Sequence, residues 1–125
     1  MGLRSFAVTV LLGVTGAAAA TAPAHAQLTA GQFLEFHEQQ RNRILLEPLL
    51  NGIGRGIFVY NTMLVMNNPS ATLYCHPANL TIESAQYLSI LRHYVEQDSI
   101  SRGREYVEVA LLNALQGVFP CARRR

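Results

Sequence analysis

The sequence predicts an all-α domain, a small bundle of about four helices with a C-terminal helical hairpin closed by one disulfide. Two segments, 82–97 and 107–118, carry apolar residues at helical spacing, and no segment shows the alternation of a β-strand. Cys75 precedes the first of these segments and Cys121 follows the second. A bond between the two cysteines would therefore bring the outer ends of both helices together.

Residues 1–26 have the pattern of a secretory signal peptide. Arg4 supplies the positive charge, an apolar run covers residues 6–20, and a small-x-small cleavage site ends at Ala26. An uncleaved anchor is the alternative, but the apolar run is too short and wrongly flanked for a stable membrane span. We expect cleavage after Ala26, export, and a single mature domain at residues 27–125 without a membrane span.

The two cysteines of the exported chain are expected to pair. An even cysteine count in an oxidising compartment favours a disulfide between Cys75 and Cys121. A zinc site would need more ligands at short spacing, whereas Cys75 has only His76 beside it. A catalytic Cys–His pair is the alternative that would assign a function to these residues. Closing a loop of this length would stabilise the fold by about 4 kcal/mol.

Composition gives no case for nucleic-acid binding. The chain has ten basic and eight acidic residues, and its formal net charge is +2. The arginine tail at 123–125 is interpreted as a solvated terminus rather than a membrane or partner contact. The glutamates, histidines and cysteines have no spacing that assigns them catalytic roles. We therefore expect no enzymatic activity, no cofactor and no metal site.

Two helices are predicted in the N-terminal half of the mature chain. Thr29 and Gln32 have the spacing of a capping box, which would begin a helix through about Arg43. His37 lies beside the apolar face of this helix and is interpreted as an interfacial residue, because no second ligand follows at i+4. Pro48 is predicted to mark a bend or a new helix start.

The second helix is mostly apolar and contains three glycines near its beginning. A phosphate-binding loop is not supported, because no Gly-Lys-Ser/Thr follows. Gly52 and Gly56 lie one turn apart and are predicted to allow close helix packing. The residues predicted to share its packing face are Ile53, Ile57, Tyr60, Met63 and Leu64.

The C-terminal hairpin has the clearest amphipathic patterns. Thr81 is the predicted N-cap of its first helix, and Glu83 would complement the helix dipole. The predicted apolar face of that helix consists of Ile82, Ala85, Leu88, Leu91, Tyr94 and Val95. The face of the last helix consists of Val107, Ala110, Leu111, Ala114, Leu115 and Val118. Gly117 and Pro120 are predicted to end the last helix.

The segment from Cys75 to Cys121 carries a set of motifs that resembles the pattern of a known protein family. They are Cys75-His76-Pro77, Thr81, Gln86, Tyr94-Val95, Ala110-Leu111 or Ala114-Leu115, and Phe119-Pro120-Cys121. This pattern resembles the bacterial Tai/Rap family of type VI secretion immunity proteins, which have an HdeA-like helical fold. Family members often have a proline in the loop between the two helices, where this chain has Asp98-Ser99.

The resemblance implies a function by binding rather than by catalysis. Such proteins act in the periplasm, often as homodimers, and occlude the active-site cleft of a secreted peptidoglycan amidase. A rigid protruding loop would suit this task, because preorganisation lowers the cost of binding. The loop predicted to bind the partner consists of Gln97, Asp98, Ser99, Ile100, Ser101 and Arg102.

Two alternatives stay open at this point. The loop at 97–102 is either a partner-binding element, with Asp98 and Arg102 for charge complementarity, or a plain connection between helices. The chain as a whole is either an immunity protein or, on the same kind of fold, an HdeA-like periplasmic chaperone or general protein-binding module. A chaperone activated by acid would unfold as its carboxylates become protonated.

Overall fold

The computed structural model describes residues 27–122, which form a bundle of four α-helices. The helices are α1 (Ala30–Glu38), α2 (Gln40–Asn67), α3 (Ser84–Gln97) and α4 (Val107–Val118), with short 3-10 helices at Pro69–Ala71 and Arg102–Arg104. Residues 27–122 contain no β-strand, only an isolated bridge between Thr29 and Tyr106. The predicted all-α class is confirmed. The predicted signal peptide at 1–26 and the arginine tail at 123–125 lie outside the described residues.

Helix α4 contacts each of the other three α-helices and supplies much of the core. Its buried residues are Val107, Ala110, Leu111, Ala114 and Leu115. All of them except Ala114 form one core cluster with Phe33 of α1, Leu50 of α2 and Leu91 of α3. Each fully buried side chain of the size of leucine or phenylalanine contributes about 2 kcal/mol. The apolar stripe predicted for α4 is confirmed except at Val118, which is exposed.

Helix α1 begins as predicted and ends early. The Gln32 N–H donates to Thr29 Oγ1 (3.2 Å) and the Thr29 N–H donates to Gln32 Oε1 (3.1 Å), so the capping box is confirmed. The predicted end near Arg43 is wrong, because Gln39 has an extended backbone with φ −79° and ψ 113°. Helix α2 starts at the next residue.

The new helix start that was one of the two predictions for Pro48 is also wrong, because Pro48 lies inside α2. Proline has no N–H, so the carbonyl of Ile44 has no helical donor there. Ile44 is 78% exposed, which leaves water free to satisfy that carbonyl. The boundary between the two predicted helices therefore lies at Gln39 and not at Pro48.

The N-cap of helix α3 lies two residues after the predicted cap at Thr81. Glu83 is the N-cap, and its N–H donates to Oε1 of Gln86 at 2.8 Å. The buried residues of α3 are Tyr87, Leu91 and Val95. Tyr87 was not among the predicted face residues, because its place depends on a notch in α2.

That notch is Gly54, which corrects the prediction for the α2 glycines. A Cβ atom at Gly52 or Gly56 would meet no atom within 4 Å, so neither glycine allows close packing within the described chain. A Cβ atom at Gly54 would lie 2.5 Å from Cζ of Tyr87. Gly54 is buried and Tyr87 is 2% exposed. The ring of Tyr87 therefore occupies space that only glycine leaves free.

The predicted disulfide between Cys75 and Cys121 is confirmed, and it closes the C-terminal hairpin. The two Cα atoms lie 4.8 Å apart. The backbone N–H of Cys75 also donates to the carbonyl of Phe119 at 2.8 Å. One covalent bond and one backbone hydrogen bond thus join the segment before α3 to the segment after α4.

Asn61 of α2 holds the segment immediately before Cys75, which we call the connector, against α2. The sequence did not indicate this role. The side chain is buried, and its Nδ2 donates to the carbonyl of Tyr74 at 2.9 Å. Its Oδ1 accepts the backbone N–H of Leu73 at 2.8 Å. A buried amide that satisfies two backbone groups removes the desolvation penalty of both. The chain is therefore held in register immediately before the disulfide.

Tyr74 is expected to make stability fall at alkaline pH. Its hydroxyl is buried without a hydrogen-bond partner in the described chain, and burial, together with nearby Tyr87, raises the pKa of Tyr74 to about 12. In the unfolded chain the tyrosine pKa is about 10. Below pH 10 both states keep the proton. As pH rises from 10 towards 12, only the unfolded state loses it, so unfolding becomes easier by up to about 3 kcal/mol.

The measurement is urea unfolding at several pH values between 8 and 12, for the wild type and Tyr74→Phe. The variant should lose the Tyr74 share of the pH dependence. At neutral pH it should be more stable by about 1 kcal/mol, because it buries no unpartnered hydroxyl. Equal pH slopes for the two proteins would contradict the assignment.

Candidate functional site

The residues predicted to bind a partner form one turn between α3 and the 3-10 helix at Arg102–Arg104. Gln97 is the last residue of α3 and Asp98 is its C-cap. Residues 97–101 are exposed, and Ile100, in the middle of the turn, is 73% exposed. The six consecutive residues thus form one turn that is exposed except at half-buried Arg102, and we call it the 97–102 turn.

Asp98 holds the backbone of the 97–102 turn. Its Oδ1 accepts the N–H of Ser101 at 3.1 Å, and its carbonyl accepts the N–H of Arg102 at 2.9 Å. The Ser99 carbonyl accepts the N–H of Gly103 at 3.2 Å. An aspartate that accepts backbone N–H groups a few residues ahead is a common way to stabilise a turn. Asp98 therefore positions the turn.

Arg102 folds back onto α3. Its guanidinium carbon lies 4.3 Å from the ring centre of Tyr94, and Nη1 donates to the Tyr94 carbonyl at 3.0 Å. The same Nη1 also contacts Oε1 of Gln97. A planar guanidinium stacks well on an aromatic face. The charge that the sequence analysis assigned to a partner is thus engaged within the chain, where it stiffens the turn.

Tyr94 in turn connects the 97–102 turn to α4. Its hydroxyl donates to the carboxylate of Glu105 at 3.0 Å, and Nδ2 of Asn113 donates to the same carboxylate at 3.0 Å. Burial raises the pKa of Tyr94, and the hydrogen bond to Glu105 raises it further. Sequence reasoning missed this network, because its members lie on different elements and have no characteristic spacing.

A second exposed feature runs along the outer face of α2. We call it the α2 stripe, and it consists of Leu45, Leu49, Gly52, Gly56, Val59, Met63 and Met66. The side chains of Leu45 and Met66 are 75% and 77% exposed. Tyr60 and Met63 were predicted to pack inward and are exposed instead, whereas Ile53, Ile57 and Leu64 are half-buried. The sequence pattern did not distinguish these two apolar sides of one helix.

His37, the one histidine singled out in α1, makes a structural contact between α1 and α2. His37 is buried, with Nε2 3.1 Å from Oε1 of Glu47 and its ring stacked on Phe33. Among residues 27–122, no three histidine, cysteine, aspartate or glutamate side chains lie close enough to hold a metal ion. Over the same residues, no helix has both the length and the apolar character needed to cross a membrane.

No protein-family model, no curated protein and no solved structure matches the chain. The likeness to immunity proteins therefore depends on the motifs quoted from the sequence.

Proposed function

We propose that this chain is a periplasmic immunity protein that binds a secreted type VI amidase effector and occludes its active site. The observation that carries the proposal is the preorganised 97–102 turn. Asp98 fixes its backbone and Arg102 is stacked on Tyr94, while Ile100 stays exposed. A turn that is already ordered loses little conformational freedom when it binds.

The residues of the 97–102 turn suit a small protein–protein contact, with one apolar side chain flanked by polar ones. Ile100 offers an apolar side chain that can be desolvated at the centre of a contact, and Ser99 and Ser101 offer polar groups at its rim. Such an inhibitor blocks a cleft by occupying it and needs no reactive group. The network around Glu105 connects the turn to α4, and the disulfide closes the opposite end of the same helical hairpin. The expected signal peptide would deliver the protein to the compartment that contains peptidoglycan.

The direct test is inhibition of peptidoglycan cleavage. The mature chain, residues 27–125, would be purified with its disulfide intact and titrated against a panel of type VI amidases acting on a peptidoglycan fragment. We expect one amidase to be inhibited at a one-to-one molar ratio. Failure against every amidase, combined with suppression of client aggregation at acid pH, would replace the proposal with the chaperone function.

Replacing Ile100 is the sharpest test of the contact surface. Ile100→Asp should raise the inhibition constant by at least about 30-fold, because a hot-spot residue contributes about 2 kcal/mol or more. Its free energy of unfolding should change little, since the side chain is exposed. Val109→Asp is the matched control, because Val109 is an exposed apolar residue of α4 outside the turn. Wild-type inhibition by Ile100→Asp would exclude the 97–102 turn as the contact.

A further inference from the structure

The α2 stripe is an apolar face that no other part of the described chain covers. Most of the large apolar side chains that are exposed in residues 27–122 lie on α2. The buried residues of α2, namely Leu50, Gly54 and Asn61, lie on the opposite side of the helix. Exposed apolar side chains that gather on one face of a protein mark a surface for interaction.

The one acidic residue of α2 does not lie on this face. Helix α2 contains three arginines and a single glutamate, Glu47. Glu47 is seven positions before buried Gly54, which places it on the core side of the helix, and its Oε1 lies 3.1 Å from Nε2 of buried His37. The outer face of α2 therefore carries no negative charge.

Two of the arginines do lie on the outer side. Arg41 is four positions before Leu45, so it continues the line of the α2 stripe, and Arg55, four positions before Val59, flanks the stripe. Both arginines are exposed, and neither forms an ion pair within residues 27–122. This combination of apolar side chains and exposed positive charge is complementary to a partner with an apolar interior and a negatively charged surface.

More positive charge follows at the far end of the stripe. The described chain ends at Ala122, which lines the same surface cavity as Val65 near the end of α2. Three arginines come next in the sequence, at 123–125. The arginine tail thus begins beside the C-terminal end of α2, whereas Arg41 lies at the N-terminal end. Basic residues therefore belong to both ends of the apolar face.

We propose that the α2 stripe binds the surface of a membrane that contains anionic phospholipids, with α2 parallel to the plane of the bilayer. The leucine, valine and methionine side chains of the stripe enter the boundary between headgroups and acyl chains, and Arg41 and Arg55 pair with lipid phosphates. Amphipathic helices that lie on membranes use this combination of an apolar face and basic residues. The arginine tail adds electrostatic attraction, a role that composition alone did not favour for it.

The size of the stripe favours a lipid surface over a protein. From Leu45 to Met66 the stripe is about 32 Å long, and with a helix diameter of about 10 Å its flat footprint is about 300 Å². A stable protein–protein interface buries about 800 Å² per partner, well above this area. Binding to lipid has no such requirement, because lipids adapt to the shape of the side chains and anionic headgroups attract each exposed arginine.

The experiment is flotation of the mature, disulfide-bonded chain with vesicles of phosphatidylethanolamine and phosphatidylglycerol or of phosphatidylcholine alone. The chain should float with the anionic vesicles, and a change from about 0.15 to about 1 M salt should reduce the bound fraction, because salt screens exposed charges. Absence of binding to the anionic vesicles, or equal binding to both kinds, would overturn the proposal. The stripe shares no residue with the 97–102 turn, so this result does not depend on the proposed inhibition.

Met63→Asp tests the apolar part of the contact. It should weaken binding to anionic vesicles by at least about 10-fold, because it removes an inserted side chain and adds a negative charge at an anionic surface. Val109→Asp is the matched control, because it makes the same kind of change at an exposed residue of α4. Equal binding by the two variants would exclude the α2 stripe as the contact.

Arg55→Gln tests the charged part of the contact. It should weaken binding by about fivefold, the contribution of one basic residue close to an anionic surface. Arg104→Gln removes the same charge from an exposed residue outside α2 and should change binding by less than about twofold, because screening limits the reach of an exposed charge. If Arg104→Gln weakens binding as much as Arg55→Gln does, net charge and not the α2 face governs the binding.

Discussion

Removal of the Cys75–Cys121 disulfide is expected to lower the free energy of unfolding by about 4 kcal/mol. The bond joins residues 46 positions apart, so its loss frees a long loop in the unfolded chain. A domain of this size has a total stability of about 5–15 kcal/mol, so the disulfide accounts for a large share. The measurement is urea unfolding of the oxidised wild type and of the double variant Cys75→Ser/Cys121→Ser.

The double variant also separates the crosslink from packing. Both cysteines are exposed in the structure, so their replacement should remove little buried contact. Asn61 still holds the connector before Cys75, and helical content in the absence of urea should therefore persist. Dithiothreitol should lower the stability of the wild type to that of the variant and leave the variant unchanged. A loss below about 1 kcal/mol would show that the unfolded chain gains little freedom from reduction.

The parts of the fold that the sequence predicted depend on local patterns. The α4 face repeats apolar residues every three or four positions from Val107 to Leu115, and all of these face residues are buried. The capping box at Thr29 is equally local. The disulfide followed from a count of two cysteines in a chain expected to be exported. The disulfide alone among these predictions joins distant residues, and with two cysteines in the chain each has a single possible partner.

The break between α1 and α2 shows why other boundaries were missed. No glycine or proline marks Gln39. Instead, Nδ2 of Asn42 donates to the Phe36 carbonyl at 3.0 Å, and Nε of Arg43 donates to the His37 carbonyl at 3.1 Å. Side chains from the start of α2 thus satisfy carbonyl groups at the end of α1, as helix termini require. The general disfavour of proline inside a helix predicted a boundary at Pro48. Pro48 lies instead inside α2, where exposure to water makes the missing backbone N–H tolerable.

The candidate site was predicted as a segment but not as a structure. The sequence placed a polar turn at 97–102, and the structure has a turn there. The sequence does not show that Arg102 stacks on Tyr94, or that the Tyr94 hydroxyl donates a hydrogen bond to Glu105. Those contacts depend on the angle at which α3 and α4 cross, and the packing of the core determines that angle. The sequence does not reveal the α2 stripe either, because apolar residues at helical spacing do not indicate whether their face meets the core or the solvent.

Gly54→Ala is expected to destabilise the protein by about 3 kcal/mol, at the upper end for an overpacked core. The added methyl group would lie 2.5 to 2.7 Å from three ring atoms of Tyr87, which is too close for any van der Waals contact. Tyr87 is buried, so its ring cannot swing into solvent. Either α2 and α3 separate at this crossing or the ring leaves its rotamer. Urea unfolding of the wild type and the variant measures the loss.

The neighbouring glycine supplies a control on the same helix. Gly56→Ala adds the same methyl group into open space, so it should stabilise the protein by about 0.5–1 kcal/mol through helix propensity. The same chemical change should thus alter the free energy of unfolding in opposite directions at two positions only two residues apart. A Tyr87→Leu background tests the mechanism, because the smaller side chain leaves room above Gly54. If Gly54→Ala costs as much there as in the wild type, the clash with the Tyr87 ring is not its cause.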